Sequence, residues 1–158
     1  MKQFNGLGAF LEHMATVAAR QNVALHQGLK KCAVLVEKTA KEEIGVYQSE
    51  IGDFPGWVEL ADATKADRLR QGFTENDPEL RTGELRDSIS HEIDGETAAV
   101  GSTSDIMVYQ ELGTDRIPPR PVLGPAALRN KESIQKILSH SVAEGLLYGS
   151  GETLTSLE

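Results

Sequence analysis

The sequence has little cysteine and few aromatic residues, and each shortage excludes something. One cysteine, Cys32, occurs in 158 residues, so no intramolecular disulfide can form and a secreted fold held together by disulfides is excluded. Cys32 lies among apolar neighbours, which favours a small buried side chain over a reactive thiol. Aromatic residues make up only 5% of the chain, so we expect a core of Leu, Val, Ile and Ala.

Positive charge is also scarce. The chain has 16 Lys and Arg against 24 Asp and Glu, a formal net charge of -8. A protein that wraps a phosphate backbone relies on Lys and Arg, so this balance argues against tight nucleic-acid binding. It is compatible with a protein past which a polyanion slides.

No apolar run reaches the length needed to cross a bilayer, and the first residues lack the basic-then-apolar order of a signal peptide. We therefore expect a protein made and used on the cytoplasmic side, or in a particle assembled there. A length of 158 residues predicts one domain, residues 1–158, with one core.

Motifs that carry chemistry are missing from the sequence. There is no HExxH, no Cys/His cluster, no glycine-rich phosphate loop and no GxSxG elbow. We predict no catalytic residues, no metal and no cofactor. The four histidines are scattered along the chain: His13, His26, His91 and His140.

Residues 7–47 show the apolar spacing of an amphipathic helix. Two interpretations have equal weight. In one, a single long helix projects and binds a partner; in the other, the helix breaks between Gln21 and Gly28, because the apolar stripe thins there and glycine weakens a helix. The apolar positions are Phe10, Leu11, Met14, Val17, Ala18, Leu25, Leu29, Cys32, Leu35, Val36, Ala40 and Ile44.

Residues 49–79 change character abruptly, with turn-forming Gly and Pro at both ends. We predict an exposed inserted loop that contains one short helix, Thr64 to Phe73. Trp57 is expected to cover the core as a local plug.

Residues 82–126 predict a hairpin, a short helix and a proline-rich loop. Period-two alternation predicts strands over Ser88 to Asp94 and Thr97 to Ser102, joined by a turn with Gly95 first. A lone hairpin is marginal, so neighbouring copies are expected to complete a sheet. Asp105 is expected to cap a helix over Ile106 to Leu112.

The segment from Ile117 to Pro125 should be extended and stiff, because each proline fixes its own φ and restricts the residue before it. Such a segment loses little entropy on docking, which suits a contact loop. The other interpretation is a rigid connector. A C-terminal helix is predicted over residues 126–147, followed by a flexible acidic tail, residues 149–158. The predicted fold class is α+β, with both long helices packed on a small antiparallel sheet.

Four short blocks of the sequence carry a resemblance to a known family. They are Thr82-Gly83-Glu84-Leu85-Arg86-Asp87-Ser88-Ile89, Val100-Gly101-Ser102, Tyr109-Gln110-Glu111-Leu112-Gly113-Thr114 and Pro118-Pro119-Arg120-Pro121-Val122-Leu123-Gly124-Pro125-Ala126. In this order the blocks resemble the tail-completion family of long-tailed bacteriophages, the neck or head-tail joining proteins described as minor tail components of the gene-product-ten type. The resemblance covers roughly residues 30 to 145, and the combination is more specific than any single block.

The resemblance implies a structural virion protein without catalysis, assembled in the host cytoplasm. Its copies would form a ring in the neck, with a hexamer favoured over a dodecamer. Implied partners are the head connector with its adaptor or stopper protein, and the tail terminator or tail tube protein. The genome DNA would pass through without specific binding, and no membrane is involved.

We predict that the contact surface consists of Trp57, Tyr109, Glu111, Pro118, Pro119, Arg120, Pro121, Val122 and Leu123. Within it, Arg120 is hypothesised to make a charge-assisted bond to a carboxylate or carbonyl at a ring interface. Two other functions compete with the neck: a prophage-encoded adaptor that binds one partner through the long helix outside any particle, and a small hydrolase built from His91 and nearby acids.

Overall fold

The computed structural model of the chain describes residues 3–147, and these residues form an α+β protein, as predicted. Two strands make a small antiparallel sheet. The predicted tail, residues 149–158, lies outside the described residues. The elements in chain order are α1 (Leu7–Glu43), α2 (Asp62–Arg70), α3 (Glu84–Asp87), β1 (Ile89–Asp94), β2 (Thr97–Ser102), α4 (Asp105–Leu112), α5 (Leu123–Arg129) and α6 (Lys131–Leu147).

The described chain groups into two compact units. The first unit comprises residues 3–32, 93–97 and 132–147, and the second comprises residues 33–92 and 98–131. Helix α1 contributes to both, because its residues up to Cys32 belong to the first unit and those from Ala33 onward to the second.

Helix α1 is continuous over 37 residues, so the interpretation with a break between Gln21 and Gly28 is wrong and the interpretation with a single helix is right. Gly28 allows α1 and α6 to pack closely, because a Cβ at this position would lie only 2.4 Å from the Ser141 Oγ of α6. The helix ends at Glu43 rather than Tyr47, because Gly45 takes φ +97° and its N–H donates to the Pro78 carbonyl at 2.8 Å.

In the first unit, α1 and α6 pack antiparallel. Gly145 lies against Gln21, Ser141 against Gly28, and the Cys32 thiol donates weakly to the Ile134 carbonyl at 3.9 Å. Cys32 is buried, as expected for a small apolar side chain. Burial raises the pKa of its thiol, which keeps it in the unreactive protonated form.

The single C-terminal helix predicted over residues 126–147 is wrong, because the chain forms two helices that separate at Asn130. The Asn130 side chain donates to the Ala126 carbonyl and to Thr39 Oγ1, both at 2.8 Å. A side-chain amide that takes this carbonyl competes with the backbone bond that would continue the helix.

Three smaller predictions are also settled. The short helix spans Asp62–Arg70 rather than Thr64 to Phe73. Asp105 is the first residue of α4 and not its cap, which is Ser104. The hairpin is confirmed, with Gly95 at φ +55° in its two-residue turn.

The core of the second unit is mainly aliphatic, as expected, with Trp57 as its large aromatic residue. Its buried apolar side chains are Ala33, Val36, Ala40, Ile44, Trp57, Leu85, Ile89, Met107, Val122 and Ala126. In the described part of the chain, no helix is both long and apolar enough to cross a membrane.

Candidate functional site

The second unit contains a cleft of about 710 Å³, which we call the arginine cleft. It is lined by four of the eight arginines in the sequence, Arg68, Arg81, Arg116 and Arg120. The walls of the cleft also include Gln110 and Glu79, whose backbone conformation is unusual. Three segments each add an apolar side chain, Val58, Ile106 and Ile117. Arginine is the side chain best suited to binding oxyanions, because its planar fork donates two parallel hydrogen bonds.

Arg68 and Arg120 are buried in the wall of the cleft, with only 4% and 6% of their surface exposed. Arg68 donates to the carbonyl of Leu80 at 2.5 Å and to that of Thr74 at 2.8 Å. Arg120 donates to the Val58 carbonyl through Nη2 at 2.9 Å. These partners are neutral carbonyls, so the described residues hold both guanidinium groups in place without neutralising their charge.

Glu79 is the most unusual residue of the cleft. Its φ is +61°, the only positive value among the described residues other than glycine. Both of its carboxyl oxygens are buried without a hydrogen-bond partner among the described residues. A positive φ and two unpaired buried oxygens each cost free energy, so Glu79 is held in a strained conformation. Backbone strain of this kind is concentrated at functional sites.

Burial raises the pKa of Glu79 to about 8, despite the nearby positive charge of Arg120. The negative charges of Glu111 and Glu43 raise the pKa further. Glu79 is therefore protonated at neutral pH and leaves Arg120 uncompensated.

The other charges of the cleft are paired only in part. Arg81 pairs with Asp67 at 2.6 Å, and Glu59 pairs with Lys65 at 2.7 Å. Arg116 is exposed, and neither it nor Glu84, which also lines the cleft and accepts from the Thr82 hydroxyl at 3.1 Å, makes an ion pair among the described residues. Three arginines without an ion pair against one such carboxylate make the cleft a positive site within an acidic chain.

The proline-rich segment forms part of the same unit and is fixed by its own chain. The Trp57 indole N–H donates to the Pro121 carbonyl at 3.0 Å. The Glu111 carboxylate accepts the backbone N–H groups of Val122 and Leu123, at 2.8 and 2.6 Å. These two backbone N–H groups have no backbone acceptor in an irregular segment, and the carboxylate supplies the hydrogen bonds that they need.

The predicted contact residues separate into two groups. Pro118, Pro119 and Tyr109 are exposed, whereas Trp57, Arg120, Pro121 and Val122 are buried, and Glu111 and Leu123 are partly buried. The hypothesis for Arg120 therefore needs correction, because its carbonyl partner is Val58 of the same chain. In the described chain this guanidinium stabilises the second unit.

The outer face of α4 is apolar and uncovered in the second unit. Ile106, Val108 and Tyr109 are each a little over half exposed, and Leu112 is 77% exposed. Only Met107 of this helix is buried. The sequence predicted this helix, over Ile106 to Leu112, but not that its outer face is left open.

A second uncovered stripe lies on α1 in the first unit, and we call it the α1 stripe. Leu7 is 72% exposed, Leu11 58% and Met14 48%. At alternating steps of four and three, the same stripe continues to Gln21, Gly28 and Cys32, where α6 covers it. Gly145 of α6 lies against Gln21, whereas Leu7, Leu11 and Met14 of the stripe stay about half exposed or more.

His91 has a structural role that accounts for its position. Its Nδ1 hydrogen-bonds to Glu37, and the other Glu37 oxygen accepts from Lys41 at 2.5 Å. The bond to His91, followed by that to Lys41, holds the pKa of Glu37 below its ordinary value. Among the described residues, no three His, Cys, Asp or Glu side chains are placed to hold a metal ion.

No protein-family model, curated protein or solved structure matches this chain. No sequence pattern singled out Glu79, and Gln110 appeared only as a member of the third block of the resemblance, because the importance of both residues depends on burial and on contacts between distant segments. A signal existed only for Arg120, as an arginine among three prolines.

Proposed function

We propose that this chain is a structural subunit of the neck of a tailed bacteriophage or a phage-like particle. Copies of the chain form a ring that joins the head connector to the tail tube. The observation that carries the proposal is the α1 stripe, an apolar surface for which the described chain provides no cover. The four blocks that resemble tail-completion proteins supply the particular assembly.

The α1 stripe has the composition of a protein contact. Between Leu7 and Ala19 the sequence contains a single charged residue, Glu12, although a quarter of the whole chain is charged. Twelve residues of helix extend about 18 Å, which is long enough for a helix-to-helix contact. An exposed apolar surface of this kind marks an interaction site.

The energetics favour a closed assembly over a simple pair. Covering three large side chains of the α1 stripe contributes about 5 to 9 kcal/mol. The entropy lost on association is of similar size. A second contact per subunit is then needed, and the outer face of α4 offers one. A ring supplies both contacts to every copy and closes on itself.

The charge of the chain suits a channel for DNA. A net charge of -8 repels a passing phosphate backbone and prevents it from adhering. In this proposal the ring contacts the connector or its adaptor and stopper on one side, and the tail terminator or tube protein on the other.

The test is assembly with and without the α1 stripe. The purified chain, alone and mixed with tail tubes, is measured by sedimentation and imaged by electron microscopy. We expect closed rings on the ends of the tubes, and we expect Leu11→Glu to prevent ring formation while the chain stays folded. Leu69→Glu is the matched control, since Leu69 is similarly exposed at 55% but lies on α2.

The ring proposal is contradicted if the chain stays monomeric, does not bind tail tubes and forms a one-to-one complex with another protein through α1. That result supports the alternative, a prophage-encoded adaptor outside the virion. The α1 stripe is compatible with the adaptor, but the uncovered face of α4 favours the ring because an adaptor bound through α1 leaves it unused.

A further inference from the structure

The arginine cleft contains positive charge that the described chain does not balance. Arg68 and Arg120 are buried and donate only to uncharged oxygens, namely three carbonyls and the Thr74 hydroxyl, and Arg116 has no ion pair among the described residues. A buried charge without an ionised partner is costly, so such groups persist where an anion completes them.

The cleft also provides groups that recognise more than a charge. The buried Oε1 of Gln110 has no hydrogen-bond partner among the described residues and can accept one N–H. Val58, Ile106 and Ile117 add apolar wall. A ligand that fits has a carboxylate, an N–H donor and an apolar side chain, which is the chemistry of an acidic peptide in extended form.

We propose that the arginine cleft binds an acidic, extended peptide segment, and that residues 149–158 of a second copy of the chain supply it. This segment contains Glu152 and Glu158, two leucines and no lysine or arginine. Fully extended, ten residues reach about 33 Å, enough to cross to a neighbouring subunit. The source of the segment rests on the self-assembly proposed above, whereas the chemistry of the cleft does not.

The experiment is a titration of a labelled peptide with the sequence of residues 149–158. The receptor is the full chain carrying Glu152→Gln and Glu158→Gln, so that its own segment does not compete. We expect saturable binding that Arg116→Ala weakens about tenfold or more, the loss of one charge-assisted pair. Arg116 is exposed, so this variant stays folded. Arg70→Ala is the control, since Arg70 is an exposed arginine of the same unit outside the cleft.

Two further measurements decide the chemistry and the source. A peptide with both glutamates replaced by glutamine should not bind, and equal binding of the two peptides would overturn the proposal. Free glutamate should not compete at the concentration at which the peptide saturates. If it displaces the peptide there, the ligand is a small carboxylate and the peptide proposal fails.

The outcome is separable from the proposed function. If wild-type chains form rings but the peptide does not bind, this inference is overturned and the neck subunit stands. If the peptide binds the cleft and rings never form, the neck proposal fails and so does the second copy as the source of the segment, while the binding of an acidic peptide by the cleft stands.

Discussion

Replacing Glu79 with glutamine should stabilise the protein, and the gain should depend on pH. Glutamine has nearly the same shape but no ionisable proton. Glu79 has a pKa of about 8 in the folded chain and an ordinary value of 4.5 when unfolded. Between these values the unfolded state is ionised while the folded state holds a proton, so raising the pH favours unfolding.

The magnitude follows from the difference in pKa. At pH 7 the unfolded carboxyl is about 2.5 units above its pKa, and each unit is worth about 1.36 kcal/mol, so the wild-type chain loses about 3 kcal/mol. Glu79→Gln removes this loss. We expect the variant to be more stable by about 3 kcal/mol at pH 7, and equal to wild type near pH 4, where both states are protonated.

The assay is urea unfolding of both proteins across this pH range, monitored through Trp57, which is buried in the same unit. Glu75→Gln is the control, because Glu75 is exposed in the same connecting segment and should leave the pH profile unchanged. The same stability difference at every pH would refute the assignment of a protonated, buried Glu79. A variant less stable than wild type at pH 7 would show that Glu79 acts as an ionised partner of Arg120.

Three further changes test individual contacts. Arg120→Ala should destabilise the chain by about 2 to 3 kcal/mol in urea unfolding, because a buried carbonyl loses its donor. An unchanged unfolding midpoint would show that Arg120 does not stabilise the fold and acts only between molecules. Gly28→Ala should lower the free energy of unfolding by about 1 to 3 kcal/mol, because the new Cβ would lie 2.4 Å from Ser141 Oγ. Gly8→Ala, in open space, should be neutral or stabilising. Equal effects of the two variants in thermal melts would contradict the close packing of α1 and α6. Glu37→Gln should remove a contribution of up to about 1 kcal/mol to the free energy of unfolding. In the wild-type chain this contribution is present above the ordinary glutamate pKa of 4.5 and is lost as the pH falls below that value. A stability difference between variant and wild type that persists in acid would count against the ion pairs of Glu37.

The elements that periodicity describes were predicted well. The hairpin strands were predicted to within a residue, because alternating side chains and a glycine-first turn are local signals. Helix α1 was predicted, and its continuity through Gly28 was one of two interpretations of equal weight. The partner of Gly28 was not predictable, because it is Ser141, 113 positions further along the chain, and no local pattern reports such a contact.

The candidate site was predicted only in part. Three prolines around Arg120 predicted an extended, stiff segment from Ile117 to Pro125. The prediction is wrong for Leu123 to Pro125, which form the first turn of α5, whereas residues 118–122 lie outside the helices and strands. The burial of Arg120 was not predictable, because the carbonyl that holds it belongs to Val58, 62 positions away. Glu79 carried no signal at all, since its strain and its raised pKa arise from the folded surroundings.

The most direct test of the central claim is the mass of the assembled species. In this account the wild-type chain, presented with tail tubes, forms one closed ring of defined mass, with a hexamer favoured, and Leu11→Glu remains a folded monomer under the same conditions. A wild-type chain that stays monomeric beside the tubes, or a Leu11→Glu variant that assembles as wild type does, would contradict the claim that the α1 stripe builds the neck ring.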